Sequence, residues 1–235
     1  MHIMKNSLLP AAFCTAALLF SSLMSTAAEM LPGKMTVQAV QGSVLIVDAD
    51  GNETLVKKGD QLAQGANVVT GKNSKAVVLL SSGTSVVVNP DSDVEFTKFM
   101  QVPYELPAGV QLTELKKAPS ISETLITVNE GTLAGRTAKL HEDSSLRIKT
   151  PSGTDAVIKG TDYVVTVVIR GGEAFTTITN ATGDVVAVSQ GNALSVPPGQ
   201  TVTVEATRTV SASGEVTYTI TQVSEPRPAT GQEIA

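Results

Sequence analysis

An all-β fold is predicted for this chain, and three observations predict it. Short β-branched runs recur from about Val37 to Val223. Glycine, asparagine and aspartate clusters break these runs at close intervals, as turns between strands require. No stretch carries the apolar spacing of an amphipathic helix of useful length. Periodicity leaves the arrangement open among a barrel, a sandwich and a short β-solenoid, and the glycine spacing is too irregular for a strict repeat.

The elements follow in order. Val44 to Val47 is a strand, and Asp48-Ala49-Asp50-Gly51-Asn52 reads as a hairpin turn into Thr54-Leu55-Val56. Lys58-Gly59-Asp60 ends that strand. Asn67 to Thr70 and Lys75 to Leu80 come next, Ser82-Gly83 turns the chain into Ser85 to Val88, and Asn89-Pro90-Asp91 stops it before Val94-Glu95-Phe96. Pro103, Pro107 and Pro119 then bracket residues 100–122, too broken for a regular element; the stretch reads as an insertion loop. Strands return at Thr124 to Val128, with Asn129-Glu130-Gly131 read as a turn. Ser144 to Ile148 follows. Tyr163 to Ile169 is apolar at alternate positions of both faces, as in a strand covered on two sides. Arg170-Gly171-Gly172-Glu173 is a hairpin signal, because glycine accepts the positive φ of a primed turn. Asn180-Ala181-Thr182-Gly183 and Gln190-Gly191-Asn192 read as the same device. Val216, Tyr218 and Ile220 alternate with threonines, the pattern of a half-buried edge strand. Beyond Glu225 the prolines and polar residues predict a short disordered tail, residues 224–235.

Residues 1–28 read as an export signal. Lys5 supplies the positive end, Leu8 to Leu23 the apolar stretch, and Ser25-Thr26-Ala27-Ala28 the small residues before a cut after Ala28. Cys14 is the chain's single cysteine, so the exported form has no disulfide staple and rests on burial and strand pairing. The formal charge is −5, and no lysine or arginine cluster is present, which argues against nucleic acid and anionic membrane surfaces as partners. With no tryptophan and few other aromatics, stacking platforms for sugars or bases are hard to assemble.

Candidate chemistry is sparse. Asp48 to Glu53 superficially matches the start of a calcium loop, but Lys57 and Lys58 stand where further acids are needed, so a turn is the better reading. His141 has no second histidine or cysteine to complete a zinc site, and no Gly-x-Ser-x-Gly elbow accompanies it. No catalytic residue, cofactor or metal is assigned. Asn52-Glu53-Thr54 and Asn180-Ala181-Thr182 match the N-glycosylation pattern.

A Thr150-Pro151 corner, a short apolar rise to Ile158, then Gly160-Thr161-Asp162-Tyr163 and a strongly β-forming run resemble the core signature of the FecR domain. The likeness extends over residues 37–205. Gly59-Asp60 and Thr70-Gly71 resemble its opening steps, Glu130 to Leu133 the strand before the corner, and Pro198-Gly199-Gln200 its close. The resemblance implies an exported all-β domain over residues 29–223. It also implies structural roles for Gly59, Asp60, Thr70, Gly71, Thr150, Pro151, Gly160, Thr161 and Tyr163. The best-known members are anti-sigma regulators with a cytoplasmic helical segment, one membrane-spanning helix and a signalling domain. Here no spanning helix is read beyond the export signal. The expected function is therefore a non-catalytic binding or scaffolding module in the periplasm or outside the cell, acting on a protein or cell-envelope component. The alternative is a sensor or regulator whose membrane and output parts lie on another chain; an envelope hydrolase is the third reading.

Overall fold

The computed structural model describes residues 29–48 and 50–234, so residues 1–28, read above as an export signal, and Cys14 among them lie outside the described residues. The first half of the chain contains β1 (Leu31–Pro32), β2 (Met35–Gln41), β3 (Val44–Val47), β4 (Glu53–Leu55), β5 (Gln61–Leu62), β6 (Ala66–Thr70), β7 (Lys75–Leu80), β8 (Ser85–Val88) and β9 (Ser92–Gln101). The fifteen-residue β10 (Ser122–Arg136) follows. The second half adds β11 (Ser145–Lys149), β12 (Thr154–Ile158), β13 (Asp162–Arg170), β14 (Glu173–Asn180), β15 (Val185–Ser189), β16 (Asn192–Val196), β17 (Gln200–Val210), β18 (Val216–Val223), β19 (Arg227–Pro228) and a one-turn helix α1 (Gly231–Ile234).

These strands form two layers that share β10. One sheet runs β4-β3-β6-β9-β10-β11-β12-β15-β16. The other runs β5-β2-β7-β8-β10-β13-β14-β17-β18. The first part of β10 pairs with β9 and, in a parallel ladder, with β11; from Gly131 onward it pairs with β13 and from Leu133 with β8. Among the described residues β4, β16, β5 and β18 each pair on one side only, so the architecture is an open sandwich. The barrel and solenoid alternatives fall away.

The two-residue alternation explains the layering. β6, β12 and β15 each bury every second residue, and their inward valines, alanines and isoleucines meet those of β7, β8 and β13 in one cluster. Phe96, Phe99, Tyr163 and Met35 fill its widest places. Each fully buried aliphatic side chain contributes about 1.5–3 kcal/mol, which is what a fold without disulfides depends on.

Four local expectations are corrected. Asn129-Glu130-Gly131 is no turn: the chain bends there inside β10 while passing from one sheet to the other. Asn180 to Gly183 is no hairpin: it is the corner that carries the chain from β14 in one sheet to β15 in the other. β13 is covered on one face only; Tyr163, Val165 and Val167 point inward, while Val168 on the outer face is exposed. Its outer neighbours are partly shaded by α1, which lies on β13 and β14.

The fourth concerns the tail. Residues 224–235 are not free over their described length, because Arg227 and Pro228 pair with Thr201 and Gln200 of β17. Arg227 then grips Glu233 through two bonds of 2.6 and 3.1 Å, and Thr230 donates its N–H and hydroxyl to the same carboxylate. Composition does not reveal this, since the contacts are made between polar groups. These donors, the Arg227 guanidinium foremost, hold the Glu233 carboxyl at about 2 instead of 4.5. A depressed carboxylate stabilises the folded form above its ordinary pKa and loses that contribution as it is protonated. Tail docking is therefore expected to persist above about pH 4.5 and to weaken as pH falls towards 2. Carboxyl-detected NMR of Glu233, with amide exchange at Arg227 and Thr230 rising over the same interval, checks it.

Between β9 and β10 the prolines exclude strand, and only a 3-10 turn at Leu112–Glu114 forms. The excursion is tied at its base by Val102 N–H to Ile121 O (2.9 Å) and by Ser120 Oγ to Val102 O (2.7 Å).

Candidate functional site

The nine motif residues do not converge. Gly59 and Asp60 form the turn before β5, where Asp60 Oδ2 accepts the Lys57 N–H at 2.7 Å. Thr70, buried at the end of β6, donates to Asn89 O at 2.5 Å and accepts the Ser92 N–H at 3.0 Å, tying its own corner with Gly71 to the β8–β9 corner. Thr150 and Pro151 turn β11 into β12. There Thr150 Oγ1 donates to Thr154 O at 2.8 Å, and Ser152 Oγ sits 3.0 Å from both Thr150 Oγ1 and Thr176 Oγ1 across the sandwich. Gly160 has φ +118°, and the Lys139 Cα passes 2.9 Å from where a side chain would begin. Thr161 donates to Asn180 Oδ1 at 2.9 Å. Tyr163 lies inside the core over Gly135, and burial pushes its phenol above the ordinary range.

All but the core residue Tyr163 lie at corners or turns, and chemistry would need other groups beside them. The Thr150–Ser152–Thr176 hydroxyls are buried and bonded to one another and to Thr154 O, with no acid or imidazole among these partners to take a proton. His141 is half-buried, with Nε2 3.1 Å from Ala118 O. Asp48 spends its carboxylate on its own turn, accepting the Asp50 and Asn52 N–H groups at 2.9 Å and Asn52 Nδ2 at 3.0 Å. Those bonds, the Asn52 side chain foremost, lower its pKa. Among the described residues no three histidine, cysteine, aspartate or glutamate side chains gather as metal ligands. Asn180, one of the two glycosylation-pattern asparagines, has 0% exposure and a fully bonded amide, so it is closed to modification in the fold.

The surface that stands out is the outer edge of β18. Among the described residues this eight-residue strand pairs with β17 alone, and its sequence Val-Thr-Tyr-Thr-Ile-Thr-Gln-Val contains neither charge nor proline. Val216 and Val223 are 41% and 45% exposed, and only Tyr218 and Ile220 are half-buried. Edge strands ordinarily carry a lysine, a proline or extreme shortness to prevent pairing with another chain. The other edges here do so: β4 has three residues and includes Glu53, β5 has two, and β16 runs directly into Pro197-Pro198. β18 has one such device, a bulge opposite Glu205–Ala206, which leaves Val216 to Ile220 in regular register. Both ends are pinned. Ser211 accepts the Glu215 N–H on its Oγ at 3.0 Å, and Ser224 exchanges two 2.9 Å bonds with the Thr203 backbone. The alternating pattern reads as an edge strand in the sequence; what does not show there is how much of it is exposed, only Tyr218 and Ile220 being half-buried.

No family model matches the chain, and no curated protein matches it. Among solved structures, two crystal structures of a "putative anti-sigma factor" from Parabacteroides distasonis ATCC 8503 are similar to it, each at 14% identity, with TM-scores of 0.41 and 0.42. Each overlap covers 66% of this chain and 59% of that one, so the chain spans less than two thirds of those proteins. An overlap this loose carries no function across.

Proposed function

We propose that this chain is an exported FecR-like binding module that takes an extended segment of a partner protein onto β18 by strand addition. The observation that carries the reading is the open edge: an uncharged run in regular register from Val216 to Ile220, held at both ends and, among the described residues, paired on one side. An unpaired strand offers alternate N–H and C=O groups to an incoming strand, and exposed side chains at every second residue give selectivity. The order of the glycine-turn motifs supports the family reading. The acidic balance and the absence of a basic cluster favour protein over nucleic acid. The proposed setting is the periplasm or the exterior, where a cysteine-free sandwich needs no redox partner.

The test is retention of an envelope protein by the immobilised module, wild type against Thr217→Lys/Thr219→Lys. Both positions are exposed, so the fold is expected to survive and circular dichroism to remain that of a β protein. Retention is expected to fall at least about tenfold, because each lysine must be desolvated or displaced when a strand arrives. Undiminished retention by the variant would remove β18 from the reading.

A further inference from the structure

A second site, separate from the β18 edge, lies at the opposite end of the chain. Between β1, the Ser81 turn and the start of the 102–121 excursion there is a cleft of about 390 Å³. Its walls are mainly apolar: Leu31, Pro32, Val102, Pro103 and Leu106, with the ring of Tyr104, whose hydroxyl is already spent on Ser81 O. The polar side chains of the lining are Lys34, Ser81 and Gln101, the last of which ends β9 and is 5% exposed. Ser81 Oγ accepts the Lys34 N–H at 3.1 Å and donates to Gln101 Oε1 at 2.6 Å. Gln101 Nε2 has no partner among the described residues.

A buried amide donor with nothing to bond is costly, and native interiors rarely keep one without a use for it. Turning the amide over gives no relief, because it exchanges an orphaned donor for an orphaned acceptor. Lys34 is the single charged residue lining the cleft, and no ion-pair partner for it occurs among the described residues. Apolar walls, a buried unpaired N–H and one cation select a particular chemistry. The geometry points to a binding site for a small aliphatic carboxylate, its chain against Leu31, Pro103 and Leu106 and its carboxylate accepting from Gln101 Nε2 within the field of Lys34. The volume is that of an ordinary small-molecule site, too small for a folded partner.

Octanoate is the probe, with 1-octanol and acetate as the arms that remove the charge and the chain in turn. In ¹⁵N-labelled protein, the Gln101 side-chain NH₂ resonances are expected to shift on octanoate titration. 1-Octanol and acetate are each expected to bind at least about tenfold more weakly. Lys34→Met, at an exposed position, is expected to weaken octanoate several-fold without disturbing the spectrum elsewhere; Gln101→Leu is expected to weaken it further. The proposal is overturned if octanoate leaves the Gln101 signals in place, if 1-octanol binds as well as octanoate, or if Lys34→Met binds octanoate unchanged. Retention of an envelope protein through β18 is unaffected by either variant, so the two sites fail or stand separately.

Discussion

Asn180→Leu is expected to lower the stability of the fold by about 3 kcal/mol, as one buried side chain gives up all its hydrogen bonds. Asn180 sits at the end of β14 with no exposure, where the chain leaves one sheet for the other. Its Oδ1 accepts from Thr161 Oγ1 at 2.9 Å, and its Nδ2 donates to Gly183 O at 2.9 Å and to Val196 O at 2.7 Å. One amide thus ties three successive corners: β12 to β13, β14 to β15, and β16 to β17. Leucine matches its size but supplies neither donor nor acceptor, so the Val196 carbonyl loses its partner in the interior and the Gly183 carbonyl loses its partner at the corner. Urea unfolding measures the loss as a lower midpoint at unchanged slope. Asn180→Asp separates hydrogen bonding from packing. A carboxylate keeps the acceptor for Thr161 but faces two carbonyls with no proton to give. Burial raises its pKa, so protonation favours the folded form. The Asp variant is therefore expected to be worse than Leu at neutral pH and to recover part of its stability as pH falls through that raised pKa. A variant indifferent to pH would mean that the corner admits water.

What the sequence made legible, and what it hid, follows from the range of each interaction. β6, β12 and β15 were readable because a period of two depends only on neighbours along the chain, and so was the Arg170–Glu173 hairpin, whose Gly171 and Gly172 have φ of 61° and 81°. The corners were not. Asn180-Ala181-Thr182-Gly183 and Gln190-Gly191-Asn192 have the same turn chemistry, yet one changes sheet and the other stays within it. The difference is the Asn180 bonds to Thr161 and Val196, nineteen and sixteen residues away. The candidate sites divide in the same way. The uncharged alternation of β18 is local and visible, whereas the unpaired Gln101 amide exists only because Lys34, Ser81 and Tyr104 meet around it. The motif glycines and threonines sit at corners, and such a motif says where the chain turns and little about what it touches outside itself.

Gly131→Ala is expected to be the most damaging single methyl addition in the protein. Gly131 is where β10 stops pairing with β9 and begins pairing with β13, two residues before it meets β8, so its geometry sets how the two sheets are joined. Its φ is +90°, and a Cβ there would stand 2.2 Å from Ser92 Oγ, 2.5 Å from Ser92 Cα and 2.6 Å from Asp91 O. Positive φ alone costs a non-glycine residue about 1–2 kcal/mol. Forcing an atom into packed surroundings adds about 1–3 kcal/mol. A loss of about 4 kcal/mol is therefore expected, read from thermal or urea unfolding. Gly172→Ala is the control, because φ is +81° there and nothing lies within 4 Å of the added methyl; its cost is the backbone component alone, about 1 kcal/mol. Adding Ser92→Gly to the Gly131 variant is expected to rescue nothing. The backbone at Asp91 and Ser92 stays in the way, and the double variant also loses the 2.9 Å bond from the Thr132 N–H to Ser92 Oγ that closes the corner. If the double variant regained stability, the obstruction would lie in the serine side chain, and the two sheets would have room to separate at their shared strand.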